Sequence, residues 1–476
     1  MLNKDFHTVL KKEVFQTLAR CVDSLSLESY LVGGVVRDHL LDKEKAKDID
    51  IITVGSGIEL AKTVQKELPG AQAVQVFKSY GTAMVQWRDL SLEFVSARKE
   101  SYSRDSRNPQ VTMGSLEDDQ NRRDFTINAL AVSLNAKDKG TLLDPFNGLE
   151  DLQNGIIRTP LEPGVTYSDD PLRMFRAIRF AAQLNFKIED KSLKAIRGNA
   201  HRIAIMSKER IVEELHKIML TPEPSHGFLM LEQNGLLERI LPELIQLKGI
   251  EEIEGQRHKD NFYHTLEVVD NICKDTQDLW LRWAALLHDI GKAPTKKFNS
   301  KIGWTFHGHE FVGSKMVYKL FKRLKMPLNE KMKYVQKLVI MSSRPIIIAE
   351  EIVTDAAVRR LVFDAGEILE DLITLCEADI TTKNPARFKR YHNNFKLVRE
   401  KIKEVEERDR VRNFQPPVTG EMIMNHFNLR PCKEIGLIKE AIKEAILEGE
   451  IPNEYEAAFA LMIKKGIDIG LEAHGK

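Results

Sequence analysis

Apolar positions in the first third of the chain fall in short runs: YLVGGVV at 30–36, DIDIIT at 48–53, GTAMVQW at 81–87 and LEFVSA at 92–97. Turn residues and helical patterns separate them, which predicts a mixed α/β head from about Tyr30 to Ala136. After Asp170 the strand signals nearly vanish. Segments 171–184, 207–220 and 433–448 carry apolar residues at helical spacing; in the last, Ile435, Ile438, Ile442 and Ile446 form one stripe and Gly449 stands where a C-cap belongs. The stretch from Pro160 to Gly164 predicts the passage from head to neck, and NFQPPVTG at 413–420 predicts a linker into a terminal helical piece. The fold class that follows is α+β: an N-terminal α/β head, then an elongated all-helical neck, body and tail.

Composition narrows this picture only a little. A chain of 476 residues, 42% hydrophobic and 30% charged, is globular and long enough for three or four domains at roughly 100–200 residues each. Charges break the apolar run at the N-terminus, and no stretch nears the roughly 20 apolar residues that span a bilayer, so the expected location is cytoplasmic, with no membrane partner. Cys21, Cys273, Cys376 and Cys432 stand far apart without CxxC spacing, as expected of reduced thiols. Net charge is only +1, so a nucleic-acid partner would be held by local basic patches.

Chemistry is suggested first by LVGGVVRDHLL at 31–41 followed by DIDIIT. Gly33 and Gly34 remove side-chain bulk where backbone N–H groups can approach a phosphate, with Arg37 as a fixed charge close by. Residues i and i+2 of a strand share a face, so Asp48 and Asp50 can jointly hold a hard cation such as Mg²⁺. A DxD alone is usually a solvated strand end. Glu93 is a candidate third carboxylate, or simply an exposed strand residue. The combination of GG, Arg37-Asp38 and a DxD ten residues later resembles the nucleotidyltransferase head of bacterial CCA-adding enzymes and poly(A) polymerases. The resemblance continues through RRDFTINALA at 122–131, DPFNGLEDL at 144–152, DDPLRMFRAIRFAAQL at 169–184 and SKERIVEEL at 207–215.

This resemblance implies a template-independent enzyme that adds CCA to tRNA 3′ ends from CTP and ATP, with Asp48 and Asp50 as catalytic Mg²⁺ ligands. Arg122, Arg123, Asp124 and Asn128 are its nucleotide-side candidates. In the neck, Asp170 and Pro171 read as N-cap and N1 of a helix, so Asp170 and Arg173 fall on one face. A carboxylate only accepts and a guanidinium only donates, so the pair complements the Watson–Crick edges of C and A and leaves groups unpaired against G and U. Arg176 and Arg179 continue that face toward phosphates or the base edge. The family commonly has Glu where this chain has Asp169. A poly(A) polymerase, or an enzyme adding only CC or only A, shares these motifs; the stretch between Arg98 and Arg122, where the family has a mobile loop, is not visibly truncated, which disfavours CC-only addition.

A second constellation lies downstream. DNFYHTLEVVDNI at 260–272, LRWAALLHDIGK at 281–292, WTFHGHEFVGSK at 304–315 and LCEADITTK at 375–383 resemble the HD superfamily. His264, His288, Asp289 and Asp379 fit its metal-binding pattern, with His307 or His309 as possible additions. Imidazole plus carboxylate suits several divalent metals, so the metal is not identified; bound, it would generate hydroxide for phosphoester hydrolysis. A phosphohydrolase whose head merely binds nucleotide is the rival from another class, disfavoured by the intact head motifs. No obligate protein partner is implied. The resulting division is 1–160 head, 161–255 neck and body for nucleobase recognition and RNA binding, 256–385 HD module and 386–476 helical tail.

Residues 383–403 hold eight Lys or Arg and one Glu, interleaved with Phe388, Tyr391 and Phe395. Cations can meet phosphates while aromatics cap bases or pack inward. If Lys389 and Arg390 touch RNA, reversing both charges weakens tRNA binding and flattens the slope of log K against log salt by about two; a filter-binding salt titration with an unchanged slope would exclude them.

Overall fold

The computed structural model describes residues 6–43, 47–77, 81–101, 110–350, 354–409 and 415–472. Residues 102–109, inside the stretch where the resemblance places a mobile loop, and 410–414, which include the first two residues of the expected linker, lie outside them. The chain divides into two compact units, 1–242 and 243–476.

Among the described residues, the first unit holds nine short strands before the helix Gly148–Asn154: β1 (Glu28–Val32), β2 (Asp48–Val54), β3 (Gln75–Phe77), β4 (Thr82–Trp87), β5 (Leu90–Ser96), β6 (Arg98–Ser101), β7 (Gln110–Met113), β8 (Ala131–Ser133) and β9 (Leu142–Leu143). Seven form one sheet in the order β3-β4-β5-β2-β1-β8-β9, and β6 pairs with β7 separately. Strand β2 is central, antiparallel to β1 with Val32 opposite Asp50, and parallel to β5 with Asp50 opposite Glu93. Ile49, Ile51 and Ile52 of β2 are buried, with Leu92 and Phe94 of β5, while Asp48 and Asp50 stand at the more open start of the strand.

The motif at 144–152 has a structural explanation. The Asp144 carboxylate accepts the N–H groups of Gly148 and Leu149 at 2.6 and 2.9 Å, starting the helix Gly148–Asn154. Asp151 on that helix accepts the Thr126 hydroxyl at 2.7 Å. The helix lies so close to the Thr126–Asn128 turn that a Cβ on Gly148 would sit 2.4 Å from the Thr126 carbonyl oxygen.

The neck helix spans Leu172–Leu184, one residue later than the expected start. Asp170 still caps it, accepting the Leu172 N–H at 3.1 Å, but Pro171 occupies the N-cap position. Its apolar face, including Phe175, Ile178 and Ala181, is buried in contact with the helices Lys208–Met219 and Pro224–Gln233.

In the second unit the helix Leu279–Leu287 is sheathed by others, burying every residue from Leu281 to Leu287. Arg282 lies within this core because its Nε and Nη2 donate to the Thr276 carbonyl at 3.1 and 2.7 Å. The helix Lys433–Glu448 ends on Gly449 at φ 78°, as its stripe and C-cap predicted. Short strands that the sequence pattern did not announce also occur after Asp170, among them the hairpin Lys297–Asn299 with Gly303–Thr305. No described helix is long and apolar enough to cross a membrane.

Gly148→Ala should cost about 1–3 kcal/mol of stability, because the methyl group meets backbone and the helix must shift. A urea midpoint unchanged from wild type would contradict this close approach.

Candidate active site and metal centre

The turn after β1 brings the first carboxylates together with their cationic surroundings. Gly33 adopts φ 72°, and a Cβ there would lie 3.0 Å from Asp50 Oδ2 and 3.3 Å from Arg123 Nη1. Glycine is therefore required both by conformation and by the approach of a carboxylate and a guanidinium from two sides. A cavity of about 420 Å³ opens here, lined by Gly33, Gly34, Arg37, Asp48, Asp50, Arg123, Asp124, Asn128, Arg176 and Arg179 of the expected residues. Asp38, Lys47 and Phe180 complete it, none of them anticipated.

Its polar groups form a connected network. Arg37 donates from Nε to Asp38 at 2.8 Å and from Nη1 to Asn128 Oδ1 at 2.8 Å. Asn128 Nδ2 donates to Asp124 Oδ1 at 3.0 Å, and Arg176 closes on Asp124 Oδ2 with Nε at 2.7 Å and Nη2 at 2.6 Å. Burial alone would raise the Asp124 carboxyl, but the Arg176 guanidinium and the Asn128 amide bring it down to about 2. Arg179 pairs with Glu214 at 2.6 Å beneath the Phe180 ring. Arg37 thus braces the turn with donors that the sequence reading assigned to phosphate.

Arg123 is held differently. Asp119, fully buried, accepts Arg123 Nε at 3.0 Å on one oxygen and pairs with Arg122 on the other. The helix carrying Asp119 starts with a capping box in which Ser115 and Asp118 satisfy each other's N–H groups. Asp119 was not picked out from the sequence, although it lies three residues before the arginine pair, at helical spacing.

Burial raises Asp50, opposed by Arg123 and reinforced by Asp48. Glu93 is raised too, by partial desolvation of its carboxyl on the strand and by the neighbouring Asp50 and Asp48 charges, although the residue keeps a solvent-exposed side. Glu93 is thus both an exposed strand residue and part of the acidic cluster. The donor set is all oxygen from carboxylates on neighbouring strands, which fits a hard divalent cation.

Arg122, Asp170 and Arg173 are not gathered into this cavity. Arg122 and Arg173 line a separate cleft of about 360 Å³ with Lys99, Asp118 and Asp169. Arg173 Nη2 donates to the Arg122 carbonyl at 2.5 Å, and Asp170 serves the helix start with Arg210 3.7 Å away.

The second centre lies in the other unit. His264 Nε2 is 2.8 Å from Asp379 Oδ1 and 3.6 Å from Asp289 Oδ2; His288 Nε2 is 3.4 Å from Asp289 and 3.6 Å from Asp379. One ligand atom from each of His264, His288 and Asp379 falls within 4.8 Å of the others. The buried His288 Nε2 has no hydrogen-bond partner, while its Nδ1 donates to the Ala285 carbonyl at 2.7 Å. That turns His288 Nε2 toward the Asp289 and Asp379 carboxylates, so imidazole and carboxylate donors converge as a borderline divalent metal would need. His309 Nε2 approaches Asp289 at 3.5 Å, whereas His307 is exposed and outside the group. Gly291 permits the geometry, since a Cβ would lie 2.1 Å from the His309 carbonyl oxygen.

On the helix Pro385–Asp409, Lys389 and Arg390 are exposed, and Arg390 lies 5.3 Å from the Tyr391 ring centre. Phe395 is buried and Phe388 exposed, so the aromatics divide between core and surface.

Comparison with known proteins agrees with this layout. Residues 29–158 match the poly A polymerase head domain, 185–247 the probable RNA and SrmB-binding site of polymerase A, and 261–384 the HD domain. The chain is 33% identical over 351 residues to the A-adding tRNA nucleotidyltransferase of Deinococcus radiodurans, covering 72% of this chain and 78% of that one. It is 30% identical to the CC-adding tRNA nucleotidyltransferase of Halalkalibacterium halodurans, covering 57% and 68%. The crystal structure of the Bacillus stearothermophilus CCA-adding enzyme in complex with CTP shares the fold, with a TM-score of 0.67 over 96% of this chain and 99% of that one at 23% identity. The chain therefore belongs to the tRNA nucleotidyltransferase family built on the poly A polymerase head, and is a nucleotidyltransferase.

Proposed function

We propose that the protein completes tRNA 3′ ends by adding C, C and A from CTP and ATP without a template, releasing pyrophosphate. The observation that carries this reading is the 420 Å³ cavity, where Asp48 and Asp50 face Arg123 and Arg176 across the Gly33 turn. Mg²⁺ on Asp48 and Asp50 would activate the RNA 3′-hydroxyl and neutralise the leaving pyrophosphate. The chain's own part is positioning. Gly33 keeps the floor open, Arg123 stands beside Asp50 to meet a phosphate, and the network through Asp124 holds Arg176 at the cavity wall. Phosphoryl transfer asks for little more than such alignment and charge compensation. Asp170 and Arg173 are assigned to reading the base. In the structure both are engaged with the protein, so reading requires Arg173 to leave the Arg122 carbonyl.

A-only addition is the second reading, favoured by the A-adding name of the relative matched over 78% of its length. The HD centre is assigned to divalent-metal phosphoester hydrolysis at RNA ends, on the strength of the unpartnered His288 Nε2.

Transcripts of tRNA ending before CCA, after C and after CC, offered each labelled triphosphate with Mg²⁺, should gain two C residues and then A, with G and U refused. Asp50→Ala should lower the rate by about three orders of magnitude or more. Incorporation of A only after CC selects the A-adding reading, and A-tails on generic RNA select a poly(A) polymerase. Asp119→Asn should lower kcat/KM for the triphosphate about tenfold or more by releasing Arg122 and Arg123 from a charged hydrogen-bond partner; steady-state kinetics matching wild type would deny Asp119 that positioning role.

A further inference from the structure

Aromatic rings and lysines converge beside the HD cluster without acting as ligands. The hairpin Lys297–Asn299 with Gly303–Thr305 brings the Trp304 ring 5.3 Å from Phe298 and 5.0 Å from His258, centre to centre. Phe306 follows, 6.2 Å from His258 and nearly perpendicular to it. His258 is locked in place: Nδ1 donates to the Lys259 carbonyl at 2.8 Å and Nε2 accepts the Glu251 N–H at 3.2 Å.

Lys292 joins this wall to the cluster, while Lys296 pairs with Glu251 beside Trp304. Lys292 Nζ lies 2.7 Å from Asp289 Oδ2 and 5.8 Å from the centre of the Phe306 ring. Lys296 Nζ lies 5.6 Å from the Trp304 ring. On the other flank, Lys259 Nζ is 2.7 Å from His264 Nδ1 and also meets the Thr381 hydroxyl. Trp304 and Phe306 are half-buried, so both keep ring surface open, unlike the fully covered aromatics of the unit's core such as Trp283 and Phe321.

We propose that Phe306, backed by His258 and Trp304, is a base-stacking subsite of the HD centre, so that this centre takes a nucleotidyl phosphoester and not a bare phosphate ester. The proposal rests on the hydrolase reading of the HD centre. A phosphate drawn to Lys292 and the cluster places the attached sugar and base toward the ring that the same ammonium faces. Stacking suits any base because every base presents a π face, while Lys292 meets the phosphate. In the reaction on a terminal phosphate, a water oxygen bonds to phosphorus, the bond from phosphorus to the sugar oxygen breaks, and that oxygen takes a proton.

Phosphate release from adenosine 3′-monophosphate and from glycerol 2-phosphate, both esters of secondary alcohols, is measured with the full chain in Mg²⁺, Mn²⁺, Co²⁺ and Ni²⁺. Phe306→Leu keeps the apolar bulk and removes the π face. It should lower kcat/KM for the nucleotide by about 5- to 150-fold and leave glycerol 2-phosphate within about twofold, with Phe306→Tyr restoring the nucleotide rate. Equal loss on both substrates, or loss on neither, overturns the subsite. If wild type hydrolyses neither ester, the hydrolase reading falls on its own. The subsite is then judged by adenosine 3′-monophosphate binding read from Trp304 fluorescence, with Trp304→Phe as the blank. Weakening by Phe306→Leu in the same range supports it, and unchanged affinity overturns it.

Discussion

A chain of charged and polar side chains fixes the head: Asp38, Arg37, Asn128, Asp124 and Arg176, each bonded to the next. Buried charges persist only where they are paired, because their desolvation is expensive and a lost partner strands the other group. Two of these pairings, Arg37 with Asn128 and Asp124 with Arg176, join segments far apart in sequence. The helix after the glycine turn, the Thr126–Asn128 turn and the neck helix are held by the same polar thread, so Arg37 and Arg176 cannot be moved singly. The Arg176 contact matters most for architecture, since it ties the neck helix to the head at the point where the cavity opens.

The second unit solves a related problem partly with backbone, although Arg359 also donates to the Asp409 carboxylate at 3.0 Å. Arg282 buries its charge by capping carbonyls, and Arg359 does the same at Leu447 and Glu448, at the end of the helix Lys433–Glu448. Helix C-termini carry unpaired carbonyls and a negative dipole end, so a guanidinium there satisfies both partners. The HD residues also sit at helix ends: His288 closes Leu279–Leu287 and Asp379 closes Leu369–Ala378. Side chains at helix ends can converge on one point while the helices themselves pack as a bundle, and Gly291 allows the segment carrying His309 to come close.

The motifs were legible in sequence because each carries a local constraint. Gly33 and Gly148 mark close approaches, Asp48 and Asp50 follow the strand period, and the stripe ending at Gly449 is a helix with its cap. The roles inside the head were less legible. Arg37 and Asn128 were assigned to the nucleotide, yet their hydrogen bonds run largely to Asp38, Asp124 and each other. Sequence spacing shows which residues share a face, not which long-range partner takes their donors. Asp119 escaped notice for the same reason: a carboxylate in a short polar helix looks solvated until its burial against two arginines is known. The aromatic hairpin was missed because three-residue strands of mixed composition leave almost no periodic signal.

Charge balance connects these observations to catalysis. The whole chain carries only +1, so no global field draws a polyanion to the head. Locally, Asp48, Asp50 and Glu93 crowd adjacent strands, and burial together with mutual repulsion raises Asp50 and Glu93. The nearest cation, Arg123, would relieve that repulsion by collapsing onto Asp50, and such a pair would compete directly with a divalent ion. Asp119 removes that option by binding Arg123 at Nε, with the Asn128 carbonyl at 3.2 Å taking Nη1. The carboxylates are thereby left short of positive charge while a guanidinium waits at contact distance for an anion. That separation suits a site where a divalent cation and an anionic phosphate would bind side by side.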